Sequence, residues 1–383
     1  MILIRIGVIR FRDRCQNMNI GITTFHRAEN YGSVLQAYAL TTFLQNNGFK
    51  AEILDYYFEE DYAKYDLFRW RQYLKRPQTF LIDISSYSIH KKRKSNFERF
   101  RNRYLAISNR RAVTNSELKL YNEDYDTFIC GSDQIWNLEC THGINDAYFL
   151  QFAQEDKIKI AYAPSAGSYN IDDTMAEKLK HILMSFTRVS VREESLKEKL
   201  EKICSREIEV VLDPTLLLSA DDYHAIEEKE GIPQDKYIFI YILSGVRYNQ
   251  TLIKRAKQLA KDTGLQIKYV VDNNNGHIKG AENCSGCGPE DFLKYIDHAT
   301  YVITNSFHAT VFSILFHKEF FSFPRNGSNS RIFDLLKTLR LEKRYVEEGN
   351  LNCERVDFEQ ADEILKKEKQ KSTKFLLDAL SNE

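Results

Sequence analysis

The sequence predicts an α/β protein of two successive domains, each an open sheet that carries its ligand-binding loops after the strands. Three observations predict this. Short apolar runs of strand length alternate with helical periods from Ile20 to Phe323. The alternation opens with a complete βαβ unit over Ile20–Leu54 and restarts at Tyr237, after an exit at Asp213, Pro214 and Thr215. A chain of 383 residues is long enough for two domains of ordinary size, each with its own core.

Composition narrows the class. At 43% apolar and 13% aromatic residues the chain is globular, and long disorder is not expected. No run of about 18 uncharged apolar residues occurs, so no transmembrane helix is expected. The opening MILIRIGVIRFRDRCQ is broken by Arg5 and Arg10 and makes a poor secretory signal; the structured part is expected to begin at Met18. Seven cysteines at scattered spacing suggest reduced thiols in a cytoplasmic protein. Cys284 and Cys287 form a CxxC, but its only helpers, Cys140 and His142, lie far away in sequence. Two free thiols in a glycine-rich loop are the expectation, with no metal.

Taken in order, Ile20–Phe25 reads as the first strand. The loop Asn30, Tyr31, Gly32 and Ser33 follows, then an apolar helical period that ends at Asn46, Asn47 and Gly48. The glycine and hydroxyl let a backbone approach a ligand at a helix start, yet no GxGxxG is present and nothing asks for a dinucleotide. Ala51–Leu54 is the second strand. The stretch 56–116 then breaks the alternation as an aromatic and basic insertion, predicted helical and interrupted at Pro77. Between Arg69 and Arg111 it carries thirteen basic residues against Asp83 and Glu98, a local charge of +11 in a chain of net charge zero. Peripheral contact of 69–111 with an anionic membrane is one reading, and a solvated insertion with paired arginines is the other. No nucleic-acid module surrounds the charge, so no nucleic-acid partner is expected.

Asp126–Cys130 resumes the sheet, and Gly131–Asn137 follows as GSDQIWN. Hydroxyl, carboxylate, amide and aromatic groups at one sheet edge suit a sugar; a turn with a core tryptophan is the alternative. Strands at Ile158–Ala163, Val189–Val191 and Ile208–Leu212 complete the first set, with Arg192 between a strand and a helix. In the second set the strand Tyr237–Leu243 leads into a loop at Ser244, and Gln266–Val271 is the next strand. Tyr301–Thr304 hands over through Asn305, Ser306, Phe307 and His308 to the apolar run Ala309–Phe316. Asn305 and Ser306 are helix-capping types, and helix N–H groups at this sheet edge favour an anion. His308 adds a proton or a charge there, although a histidine beside an apolar helix is more often a packing residue. A loop with Arg325 and Arg331 and an amphipathic C-terminal helix close the chain.

These motifs, NYGSVLQAYAL, FICGSDQIWN, SVREES, VLDPT, VITNSFHATVFSILFHKEFFSF and NSRIFDLL, resemble the polysaccharide pyruvyl transferase family over Met18 to Leu341. The resemblance implies two Rossmann-like domains facing a cleft, as in glycosyltransferase-B (GT-B) proteins. It divides the chain into an acceptor domain at 18–215, a donor domain at 216–345 and a C-terminal helix at 346–383 packing back on the body. It implies transfer of pyruvate from phosphoenolpyruvate, a co-substrate and not a cofactor, onto two hydroxyls of a sugar as a cyclic ketal in bacterial capsule or exopolysaccharide synthesis. The acceptor implied is a lipid-linked oligosaccharide at the inner face of the membrane. His308 takes the family's histidine role and Asp133 that of candidate base. Arg192, Arg331, Asn305, Ser306 and Ser244 are expected at the donor; Asn30, Tyr31, Gly32, Ser33, Trp136 and Asn137 are expected at the acceptor. The family's common Arg-x-His has Ser306 at its first position here, which leaves the donor's anions to other cations. A GT-B glycosyltransferase using a nucleotide sugar and a non-catalytic glycan-binding relative are the alternatives.

Overall fold

The computed structural model describes residues 18–381, apart from 63–64, 68–72, 74–77, 168, 170, 172, 273–275, 326–329, 348–350 and 352–353. The first seventeen residues, the basic residues Arg69, Arg71, Lys75 and Arg76, and part of the 324–331 loop thus lie outside the described residues.

Two parallel sheets organise the chain. The first contains β1 (Asn19–Thr23), β2 (Lys50–Tyr56), β3 (Ile107–Ala112), β4 (Thr127–Cys130), β5 (Ile158–Ala161), β6 (Arg188–Val191) and β7 (Glu209–Val210), in the order β3-β2-β1-β4-β5-β6-β7. The second contains β8 (Tyr237–Ile242), β9 (Gln266–Val271), β10 (Glu282–Asn283), β11 (Tyr301–Thr304) and β12 (Glu319–Ser322), in the order β10-β9-β8-β11-β12. Every pairing is parallel, so the central strands are buried on both faces; β4 and β8 are buried at every position. That is why they read as unbroken apolar runs.

In both sheets the order reverses beside the first strand, between β1 and β4 and between β8 and β11. A crevice opens at the carboxyl ends of strands wherever such a reversal occurs. Each lobe therefore has one pre-set binding edge.

The helices that position the edges are α1 (Tyr31–Asn46), α2 (Gln78–Tyr104), α3 (Glu194–Cys204), α4 (Ala220–His224), α5 (Gln250–Thr263), α6 (Pro289–Asp297), α7 (Phe307–Leu315), α8 (Ser330–Thr338) and α9 (Phe358–Ser381). One apolar core runs through both lobes, with Tyr31, Phe97 and Leu212 alongside Phe239, Phe292 and Phe312. In α9, Phe375, Leu376 and Ala379 join this core, and Ser372 Oγ accepts the Leu212 N–H. The last helix thus packs back on the first lobe.

The 56–116 insertion corrects the prediction twice. Its tail is β3, an edge strand paired parallel to β2, with Arg111 3.1 Å from Asp55. ISNRRA hid it because an edge strand need bury only part of its length. The second correction concerns α2, which is neither wholly solvated nor a loose arm. Phe97 and Phe100 are fully buried, and Arg93 lies 4.8 Å over the Tyr31 ring and donates to the Glu29 carbonyl. Arg99 and Asn96 reach Glu290 and the Gly286 carbonyl across the lobes. Lys91, Lys92 and Arg103 remain exposed. Among the described residues no helix is long and apolar enough to cross a membrane.

Candidate active site

The two crevices face each other, and His308 stands where they meet. Ser306 caps α7 by accepting the Ala309 N–H, which makes His308 the second residue of the helix. Asn305 fixes the neighbouring turn: its Oδ1 accepts the Leu243 N–H, and its Nδ2 donates to Leu243 O and Asn249 Oδ1. These bonds tie the ends of β8 and β11 together.

The imidazole of His308 is 7% exposed and projects onto the start of α1 in the other lobe. A Cβ on Gly32 would lie 1.9 Å from His308 Nδ1, so only glycine lets the ring sit there. On its other side Nε2 lies 3.6 Å from Asp213 Oδ2 and makes no hydrogen bond.

Asp213 is the hub of the site. Its Oδ2 accepts from Arg192 Nη1 at 2.6 Å and Ser132 Oγ at 3.1 Å; its Oδ1 accepts from the Thr215 N–H and hydroxyl. Burial pushes the carboxyl up, but His308, Arg192 and Thr215 outweigh it and hold Asp213 far below the ordinary carboxylate range. The sequence reading treated this aspartate as a domain exit. The clue was a buried-type strand running straight into an acid.

Asp133 sits on the facing crevice, after β4, at φ 67°. Its Oδ2 accepts from Ser33 Oγ at 2.5 Å and its Oδ1 from the Gln134 N–H. Gly131 is required in this turn, because a Cβ there would meet the Tyr162 carbonyl oxygen at 1.9 Å.

The cleft so formed encloses about 500 Å³, partly open to solvent, and is lined by Asn30, Asp133, Gln134, Ser306, His308, Arg325 and Arg331. It continues into a volume of about 800 Å³ walled by Phe25, Tyr62, Tyr65 and Asp272. Asn30, Asp133, Gln134, Leu243 and Arg325 border both.

Arg331 is buried; burial and the charge of Arg192 push its guanidinium down to about 10, still charged at neutral pH. Arg325 Nε donates to Ser244 Oγ, which explains the place of Ser244 beside the cleft. Both Arg325 and Arg331 line the cleft, where the sequence analysis places only Arg331 at the donor.

Other predicted site residues fall elsewhere. Arg192 lies 4.6 Å over the Phe307 ring and lines an adjoining cavity with Val211, Leu212 and Leu335, which shares Phe307 and Arg331 with the cleft. Its guanidinium bonds Asp213, the carboxylate 3.6 Å from His308 Nε2. Burial pulls its guanidinium down, and Asp213, Glu193 and Asp133 more than offset that. Trp136 is 4% exposed, stacks on Phe149 at 5.2 Å and donates its indole N–H to the Tyr148 carbonyl. It is a core residue and offers no face to a sugar. Asn137 is buried and braces its own turn through Gln134 and Glu139. Tyr31 is wholly buried, stacked on Phe292 at 4.3 Å, with its hydroxyl donating to the Cys287 carbonyl. Cys284 and Cys287 are free thiols, pushed up by burial to about 11 and about 12 and so inert.

Two parallel-sheet lobes joined at facing switch points define a GT-B-like architecture. The chain belongs to the polysaccharide pyruvyl transferase family, whose profile matches residues 30–327. No curated protein matches the chain significantly. Among solved structures, it is similar to the UDP-GlcNAc 2-epimerase of Neisseria meningitidis bound to UDP-GlcNAc. That likeness has 11% identity and a TM-score of 0.51, and covers 96% of this chain and 100% of that one. The S. aureus MnaA–UDP co-structure gives 12% identity, 0.50, 94% and 91%. The UDP-GlcNAc 2-epimerase of Methanocaldococcus jannaschii gives 10%, 0.50, 91% and 92%. At such identities the likeness establishes the fold.

Proposed function

We propose that the chain transfers pyruvate from phosphoenolpyruvate to two hydroxyls of a sugar, forming a cyclic ketal during polysaccharide assembly. The observation that carries this reading is the cleft in which His308, Arg325 and Arg331 converge opposite Asp133. Phosphoenolpyruvate brings a phosphate and a carboxylate, and two guanidiniums at a helix N-terminus suit that pair of anions.

His308 gives a proton to C3 of the enol, and cationic character develops at C2. A sugar hydroxyl attacks C2 and yields its proton to Asp133. The C2–O bond to phosphate then breaks, the phosphate leaves against Arg325 and Arg331, and the second hydroxyl closes the ring. The two hydroxyls release two protons; one replaces the proton given to C3 and the other accompanies the phosphate. Arg192 acts through Asp213, holding the carboxylate that faces His308. The sugar occupies the larger volume, where Phe25, Tyr62 and Tyr65 supply the apolar surface that Trp136 does not.

The test is phosphate release and pyruvate incorporation with phosphoenolpyruvate and a panel of lipid-linked or p-nitrophenyl sugars. His308→Ala should lower turnover by about 10²-fold or more; near wild-type turnover removes His308 from the mechanism. The competing donor is a nucleotide sugar, since a structural neighbour is bound to UDP-GlcNAc. Thermal stabilisation by UDP and not by phosphoenolpyruvate would favour that donor. Acceptor binding with no phosphate release under any donor would make the chain a non-catalytic glycan-binding relative.

A further inference from the structure

Away from the cleft, four metal-ligating side chains meet where the stretch between the sheets touches the end of α6. His224 closes α4 and Glu227 follows three residues later; Asp297 is the last residue of α6 and His298 its C-cap. His224 Nε2 lies 3.4 Å from Asp297 Oδ2, while His298 Nε2 lies 3.1 Å from Glu227 Oε1 and 3.9 Å from Asp297 Oδ2. One ligand atom each from His224, Glu227 and Asp297 fall within 4.8 Å of one another. An ion with tetrahedral bonds of about 2.0–2.1 Å keeps its ligand atoms about 3.3 Å apart, close to the His224–Asp297 and His298–Glu227 separations of 3.4 and 3.1 Å.

Three further observations point to a cation there. His224 Nε2 is closed off from solvent and makes no hydrogen bond, despite the carboxylate 3.4 Å away. A simple imidazole–carboxylate pair would have satisfied it. Each carboxylate also turns its other oxygen to a lysine, Asp297 Oδ1 to Lys318 at 3.4 Å and Glu227 Oε2 to Lys229 at 3.8 Å, leaving one oxygen apiece for the histidines. Finally, the His224 ring is fixed in orientation by stacking on Phe316, with centroids 5.1 Å apart. The carbonyl end of α6 adds partial negative charge.

We propose that His224, Glu227, Asp297 and His298 bind one divalent transition-metal ion of the Zn2+ type as a structural clip. It fastens the connection between the lobes to α6, the helix that leads into β11 and so to His308.

The test uses the full chain stripped with a chelator, titrated with Zn2+ by calorimetry and with Co2+ by absorption. One saturable site is expected, with Co2+ bands of a tetrahedral nitrogen and oxygen set. Zn2+ at a hundredfold excess over Kd should raise Tm by about 3 °C. His224→Gln and His298→Gln should each weaken binding at least tenfold and shrink the Zn2+-induced rise in Tm, measured against each variant's own metal-free chain, and C284S/C287S should leave binding intact. Absence of a saturable site, a thiolate charge-transfer band with Co2+, or undiminished binding by the His224→Gln/His298→Gln double variant overturns the proposal. The wild-type Co2+ spectrum decides the matter even if a variant fails to fold.

Discussion

Gly32→Ala is the sharpest probe of the interlobe contact. Near the start of a helix, alanine for glycine should stabilise, by roughly 0.5–1 kcal/mol from backbone entropy and propensity. Here the added Cβ meets His308 Nδ1 at 1.9 Å, Cγ at 2.4 Å and Cε1 at 2.6 Å, against an ordinary contact of 3.4 Å or more. The ring must therefore retreat by about 1.5 Å, or α1 must lift off α7. Overpacking of this kind costs about 1–3 kcal/mol, so net destabilisation of about 1–2 kcal/mol is expected. A displacement beyond 1 Å at a reacting group costs about 10²-fold in rate, close to 2.7 kcal/mol of transition-state stabilisation. The assay is a thermodynamic cycle with His308→Ala, read by denaturant unfolding and by phosphate release. With the ring gone, Gly32→Ala should become stabilising and leave the residual rate unchanged. If Gly32→Ala is neutral in the wild-type background, or equally costly with and without His308, the ring is not where the geometry puts it.

Four other perturbations separate structural from functional roles. Burial raises the Glu29 carboxyl from 4.5 to about 7; the native state therefore holds more protons than the unfolded chain between those values, and stability falls as pH rises through 7. Glu29→Gln should remove this fall, worth about 3 kcal/mol at most, when unfolding is compared at pH 5 and pH 8. Trp136→Phe should cost about 1–3 kcal/mol of stability and leave the acceptor KM unchanged; a raised KM with intact stability would return Trp136 to the sugar site. Asp213→Asn strands buried Arg192 and should cost about 3–5 kcal/mol in addition to activity, whereas an unaltered Tm would deny that Asp213 is the hub. Exposed cations of the basic segment, Lys91, Lys92 and Arg103, predict sedimentation with anionic vesicles that weakens as salt rises; salt-independent sedimentation, or none, rejects the membrane contact.

What the sequence showed and what it hid follow from one physical difference. Strands buried on both faces, such as Phe128–Cys130 and Tyr301–Thr304, are continuous apolar runs, so the alternation and the site-bearing turns stood out. The His308 turn was legible for the same reason, with Ser306 as a recognisable cap. β3 was not, because an edge strand carrying Arg110 and Arg111 has no such run. Trp136 misled because composition cannot tell which face of a turn an aromatic takes, and Phe149, 13 residues on, claims its ring. Arg93 and Phe97 of α2 looked like part of a charged solvated arm; their partners, Tyr31 and Asp272, lie in distant parts of the chain. Asp213 escaped because an acid needs three remote partners, Ser132, Arg192 and His308, before its role becomes visible.

The serine at position 306 shows how the site is charged. A guanidinium there would stand at the mouth of α7, beside an anion. The serine instead spends its hydroxyl on the helix cap, so the N–H groups of the first turn stay ordered for a ligand. Positive charge is supplied from beyond β12, by Arg325 and Arg331, while the Asp213 carboxylate lies 3.6 Å behind His308. The imidazole thus lies between the Asp213 carboxylate and the guanidiniums of the cleft. Arg331→Gln is therefore expected to raise KM for phosphoenolpyruvate about tenfold or more, because it removes one of the two guanidiniums that face the donor's anions. An unchanged KM for phosphoenolpyruvate would remove Arg331 from anion binding and leave that role to Arg325 and the first turn of α7.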